Sequence, residues 1–254
     1  MLLLAAGALV WLLPARWVLP WIEPRLHGVQ LQQVGGLLWD GHADRVLSAD
    51  GRTLGRLRWK LSRRALLGEV RLQVDFDGPQ LAFSGGMRRL SADRLQWSRV
   101  NLQARLDALP QRLDSPLGQP AGELALAVDN AMLQGGWPMQ LQAHASWQHA
   151  AMRTATGNVA LGELQLQAQA QDGVIAAQLH DDGHGPLQVA GQLQLSPLGW
   201  RLDARLHPRQ PDPGLRHWLA QLGPVGADGS VHIQRRGGLA AARSATDSKE
   251  NALP

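Results

Sequence analysis

Val70-Arg-Leu-Gln-Val-Asp-Phe76 alternates apolar and polar residues without a break. A period of two marks a half-buried strand, because successive side chains on an extended chain point to opposite faces. The pattern returns in Leu124-Ala-Leu-Ala-Val128, Met139-Gln-Leu-Gln-Ala143, Leu164-Gln-Leu-Gln-Ala168 and Trp200-Arg-Leu-Asp-Ala-Arg-Leu206. Turn residues fall between these runs, among them Asp77-Gly78-Pro79, Ser84-Gly85-Gly86, Gly135-Gly136 and Asp172-Gly173. Short strands separated by such signals predict a mainly β, mostly antiparallel sheet. Its polar members are largely Gln, Arg and Asp, so one face is wet. Its apolar members are mostly Leu, Ala and Val, too small for a thick core. The expected shape is therefore a curved sheet, rolled or half-barrel.

Helical signals are few. Asp212-Pro213 suits an N-cap followed by a first-turn proline, and Leu215, Trp218, Leu219 and Leu222 then recur at helical spacing until Gly223-Pro224. This predicts a short C-terminal helix. Leu61 to Leu67 reads as one turn packing against the sheet.

The first twenty-two residues, MLLLAAGALVWLLPARWVLPWI, are apolar except for Arg16. About 20 such residues suffice to span a bilayer core as a helix, and no small-residue cleavage site follows as in a signal peptide. The expectation is an uncleaved transmembrane anchor over 1–22, running from Leu2 through Leu13 and Trp17 to Ile22. Trp17 suits the headgroup zone. Pro14 splits the run, and no basic residue precedes it, which points to a start codon upstream. The remaining organisation expected is a β domain over 23–236 and a disordered tail over 237–254 with no apolar period. A division of the β domain into two similar halves near 110–121 stays open.

Composition removes several classes of function. There is no cysteine, hence no disulfide or thiolate metal site. The net charge of +4 is carried by scattered arginines rather than a cluster with stacking aromatics, which argues against nucleic acid. His180, Asp181, Asp182 and His184 form the densest set of possible metal ligands. Asp-Asp-Gly and His-Gly-Pro are also the residues of a hairpin loop, and no completing motif stands elsewhere. No serine sits in a G-x-S-x-G elbow, and Gly35-Gly36 lacks the following Gly-Lys-Ser/Thr of a phosphate loop. No catalytic, cofactor-binding or metal residues are assigned, and no small-molecule substrate is expected.

Val34-Gly-Gly-Leu-Leu-Trp-Asp-Gly-His-Ala-Asp-Arg-Val46 poses a sharper choice. Asp40, His42 and Asp44 would be its chemistry if it were a ligand loop. A tight hairpin explains every residue type instead. Leu37-Leu38-Trp39 then leads to Ala43–Val46 through a turn at Gly41, with Trp39 capping an edge of the core.

The order of these motifs resembles the type II secretion system protein N family. Counterparts of the family's glycine and tryptophan pattern are Gly36, Trp39 and Gly41 in the first hairpin. Trp59 follows in Gly55–Leu61, then Gly68 after Leu66-Leu67, and Gly199-Trp200 in the closing strand before the helix. The resemblance covers Met1 to about Gly238. Leu67 meets Gly68 directly and Gly199 meets Trp200 directly, both slight departures from the family pattern. The resemblance implies a non-enzymatic, single-pass inner-membrane subunit with its C-terminal domain in the periplasm. It further implies contacts with the other bitopic subunits of the apparatus, and with the secretin or its periplasmic adaptor as further candidates. An incoming strand at an exposed sheet edge is one docking mode, and Arg56, Arg58, Arg71 and Arg105 on the wet face would select an acidic partner.

One alternative stays open. An anchored curved sheet with one Leu/Ala/Val face is also a groove for lipid, as in AsmA-like proteins, unless Trp97, Trp147 and Trp200 fill it.

Overall fold

A computed structural model describes residues 13–17, 28–108 and 117–238. It shows one sheet of thirteen antiparallel strands, each paired with its neighbours in sequence. The strands are β1 (Gln30–Leu37), β2 (Asp40–Leu47), β3 (Thr53–Leu61), β4 (Arg71–Asp77), β5 (Leu81–Arg89) and β6 (Arg94–Arg105). Three long strands follow, β7 (Gln119–Gln134), β8 (Trp137–Thr154) and β9 (Gly157–Gln171). The sheet ends with β10 (Val174–Asp181), β11 (Leu187–Ser196), β12 (Gly199–Pro208) and β13 (Val231–Gly238). β1 and β13 do not pair with each other, so the sheet stays open. It runs uninterrupted from β6 to β7, Arg105 opposite Glu123 and Arg94 opposite Gln134.

The register lines up like with like across the whole sheet. One row runs from Val34 through Ala43, Leu57, Phe76, Phe83, Leu102 and Leu126. It continues through Ala145, Leu166, Leu179, Gly191 and Ala204 to Ile233. A neighbouring row on the other face carries His42, Arg58, Asp75, Ser84 and Asn101, then His144, Gln167, Gln178, Gln192 and Asp203. Slipping one strand by one residue would exchange its faces, so the alternation itself holds the register.

The long strands keep one face apolar only by changing parity. On β8 the inward residues are Leu141, Ala143, Ala145 and Trp147, then Ala150 and Met152, with the pairing shifted at His149. His149 takes a positive φ of 50°. On β7 Gly122 lies beside it with φ 109°, where a Cβ would stand 2.5 Å from the Gln148 carbonyl oxygen. On β9 Leu164 gives way to Leu161 and Val159 across Gly162. An extra residue at a bulge bends a strand and restores its facing. Three such shifts side by side bend β7, β8 and β9 together.

Below that bend lies the main core. The helix α1 (Pro213–Leu222) is capped by the Asp212 carboxylate, which accepts from the Gly214 and Leu215 N–H groups at 2.7 and 3.2 Å. It buries Leu215, Trp218 and Leu219 against Met152, Leu161, Leu187, Val189 and Val231. The Trp218 indole donates to the Leu117 carbonyl at 2.9 Å. A second, thinner cluster of Val128, Ala131 and Ala143 is flanked by Trp97, Val100 and Leu141. Trp97 also meets Phe83 edge to face at 6.4 Å.

Two expectations differ from the structure, and a third lies mostly outside the described residues. The first hairpin turns at Leu38-Trp39, and Asp40, Gly41 and His42 already belong to β2. Gly41 is needed for a close contact described below, not for the turn. Residues Arg63–Leu67 do form a 3₁₀ turn, with Ser62 Oγ accepting from Arg64 N–H at 3.2 Å and Gly68 closing it in the left-handed region. It does not pack on the sheet: none of its residues is buried. The expected anchor falls partly outside the described residues, with Leu2 and Ile22. Within them, Pro14 bridges Leu37 and the Leu38 N–H donates to the Leu13 carbonyl at 2.9 Å. Pro14 and Leu13 thus lie against the end of β1 and the turn after it. Among the described residues no helix is long and apolar enough to cross a membrane. The expected tail, 237–254, lies outside the described residues from 239 onward.

Candidate docking surfaces

The glycine and tryptophan residues of the sequence pattern meet as pairs. Trp59 on β3 stands directly opposite Gly41 on β2. A Cβ on Gly41 would lie 2.4 Å from the Trp59 ring, and the indole donates to the Leu38 carbonyl at 3.0 Å. Trp200 on β12 stands opposite Gly237 on β13 in the same way, its ring nitrogen 2.5 Å from where a Cβ would be. A glycine leaves backbone bare, and an aromatic ring laid over it restores cross-strand contact. Trp39 is buried beside the first pair, with its carbonyl accepting from the Leu61 N–H at 2.8 Å. Gly36 takes a φ of 78°, and a Cβ there would stand 2.5 Å from the Asp40 carbonyl oxygen and 3.0 Å from the Gly41 Cα, so only glycine fits. Gly199 begins β12 opposite Ser196, closing the turn before Trp200. Trp137 and Trp147 similarly donate to the carbonyls of Gly173 and Ala121, at 2.8 and 2.9 Å. These motifs lock neighbouring strands near their ends. They present no reactive group.

The possible ligand set at 180–184 resolves into a structural latch. Asp181 accepts from the Val189 N–H at 2.7 Å, the Gly183 N–H at 2.8 Å and the Arg209 guanidinium at 2.6 Å. Burial pushes its carboxyl up, but the bonds from Val189 and Arg209 outweigh that and hold it below the usual carboxylate range. Asp182 is bound by the His184 and Gly185 N–H groups, the folding of an Asx turn. Among the described residues no three potential ligands gather as a metal site.

Two of the wet-face arginines have a carboxylate within 4 Å, and the other two stand opposite one in the register. Arg56 lies 3.8 Å from Asp77 and Arg71 3.3 Å from Glu69, while Arg58 stands opposite Asp75 and Arg105 opposite Glu123. Exposed pairs of this kind contribute about 0–1 kcal/mol each. The β2–β6 wet face therefore mixes both signs of charge.

The apolar face is uneven. α1 contacts β9, β12 and β13, whereas along β3–β6 the inward residues Leu57, Leu72, Val74, Phe76, Phe83 and Leu95 stay half-buried. Trp97 and Trp147 are packed on the two clusters. Trp200 is 40% exposed at the end of the sheet and fills nothing.

The described residues thus form an open meander with two contrasting faces and strand-end latches, and its outer edges carry only single bridges, Pro14 to Leu37 on β1 and Val225 to Val231 on β13. A family model for type II secretion system protein N matches residues 27–234. The type II secretion system protein N of Aeromonas hydrophila is 32% identical over 198 residues, covering 75% of this chain and 76% of that one. No solved structure matches the chain significantly. The chain belongs to the type II secretion system protein N family, and with it to the components of that export apparatus.

Proposed function

We propose that the chain is a non-enzymatic subunit of the type II secretion apparatus. It is held at the inner membrane by its apolar N-terminal segment, and its sheet docks other subunits in the periplasm. Family membership is the observation that carries the reading. The fold supports it: among the described residues β1 and β13 each have one strand neighbour, their outer edges are bridged only at Leu37 and Val231, and the rest of such an edge accepts an incoming strand by backbone pairing. Other bitopic subunits are the first candidate partners, and the secretin or its adaptor the next.

Deleting the gene in its host and assaying exported hydrolases in medium and periplasm tests the proposal. Hydrolases trapped in the periplasm, and released on complementation, support it. Normal export overturns it.

A second reading has its own support. The apolar face extends over all thirteen strands, and no described element covers it along β3–β6, as an acyl-chain groove requires. Normal export together with a detergent-sensitive outer membrane would select that reading.

A further inference from the structure

The hairpins of a meander alternate between two ends of the sheet. At one end lie the β1–β2, β3–β4 and β5–β6 connections, and at the other the β2–β3 and β4–β5 connections. The two ends differ in kind. At the first, Leu66 and Leu67 are 56% and 86% exposed on the 3₁₀ turn, and Leu90 is 45% exposed between β5 and β6. Trp17, 56% exposed, belongs to the segment that Leu13 and Pro14 fasten to Leu38 and Leu37 at this same end. All exposed large apolar side chains among the described residues lie at this end of their strands, except Val225 in the segment leading into β13.

Charge follows the same division. Lys60–Arg71 and Arg88–Arg94 together carry seven basic side chains, against Glu69 and Asp93 alone. The opposite connections, Leu47–Thr53 and Asp77–Leu81, carry Arg52 against Asp50 and Asp77. Arg64 and Arg71 share Glu69 at 3.8 and 3.3 Å, which leaves these tips with a basic excess. Exposed leucines on such tips cost free energy in water. They match a bilayer interface, where the apolar tips enter the acyl boundary and guanidinium groups meet anionic headgroups. A tryptophan beside them fits the same zone. The chain reaches this end from residues 1–12, whose sequence MLLLAAGALVWL is apolar throughout.

We infer that the β3–β4 and β5–β6 tips, with Trp17, form a foot that rests on an anionic membrane surface. It sets the sheet with its β3–β6 strands rising from the bilayer. The inference rests on the reading that the chain works at a membrane, and adds which end faces it.

The chain contains no cysteine, so single probes can be placed without background. Leu67→Cys, Leu90→Cys and Val225→Cys, each in the full chain and carrying an environment-sensitive fluorophore, are reconstituted in phosphatidylethanolamine/phosphatidylglycerol vesicles. Quenching by shallow nitroxide lipids is then read. Strong quenching at Leu67 and Leu90 with little at Val225 is the expected result. Arg63→Glu with Arg64→Glu lowers the inserted fraction, about fivefold for each charge lost at the surface. Equal quenching at Leu67 and Val225 overturns the foot, as does a Leu67 probe that a protein partner rather than lipid covers. Carbonate extraction of the same vesicles reports separately on the N-terminal attachment. Chain released by carbonate but quenched at Leu67 beforehand refutes the anchor and keeps the foot.

Discussion

Strands β3–β6 and β9–β13 are written in the same alternating code, yet only the second set has a dry core. Phe76 and Phe83 are larger than Val159 or Val189, and they are nevertheless half-buried where the valines are buried. The difference is a lid. α1 lays Leu215, Trp218 and Leu219 across one end of the sheet, and no described element does the same for the other. Alternation decides which side chains share a face, while coverage of that face decides what it contributes. Fully burying an aliphatic side chain is worth about 1.5–3 kcal/mol, and half-burial a fraction of that.

The largest expected effect lies under the lid. Leu219 is fully buried, and Leu219→Ala should cost about 3 kcal/mol through lost transfer and the cavity left behind. Urea denaturation of the full chain in mild detergent measures it, and a loss under ~1 kcal/mol would mean that α1 is not docked. Asp181→Asn should follow at about 2 kcal/mol, because Arg209 loses a charged acceptor. The Asp181 carboxyl is depressed in the folded chain, so its contribution is present above the ordinary carboxylate pKa and disappears as pH falls through the folded value. Melting temperature against pH should therefore fall less steeply in acid for Asp181→Asn than for the parent.

On the bare side the first hairpin is the sensitive point. Gly41→Ala pushes the Trp59 ring away and breaks its bond to Leu38, at about 1–2 kcal/mol. A blue shift lost from the tryptophan emission of this variant would report the displaced ring. The smallest effect is expected at Phe76→Ala, about 1 kcal/mol, since much of that ring is already wet. If Phe76→Ala instead matched Leu219→Ala, the β3–β6 face would be covered, and the contrast between the two regions would collapse.

Much of the architecture was legible from the chain. Asp212-Pro213 and the spacing of Leu215, Trp218 and Leu219 mark α1, and the period-two runs mark most strands. The bends were not legible, because a bulge reads as a lapse in the pattern: Trp147 to Ala150 and Leu161 to Leu164 change parity where the face does not. The first turn was misplaced for a related reason. Gly41 carries a turn residue's identity for the sake of Trp59, which lies eighteen positions away and is brought opposite only by pairing. Leu66 and Leu67 look like core from their composition alone. Only the geometry of a projecting 3₁₀ turn, capped at Ser62 and Gly68, leaves them outside. The anionic-surface foot was therefore invisible until the strand ends could be sorted into two sets.

The strictly sequential pairing has a consequence for how the molecule is made. Each strand's partner is the one synthesised just before it, so the sheet can grow by one hairpin at a time while the remainder is still being delivered. Little chain entropy is spent at any step, because each closure spans a single connection. The packing of α1 is different, and its bond from Trp218 to Leu117 joins residues 101 positions apart. That contact cannot form until nearly the whole chain has emerged. Docking of α1 would then act as a completion signal, turning a growing ribbon into a finished protein.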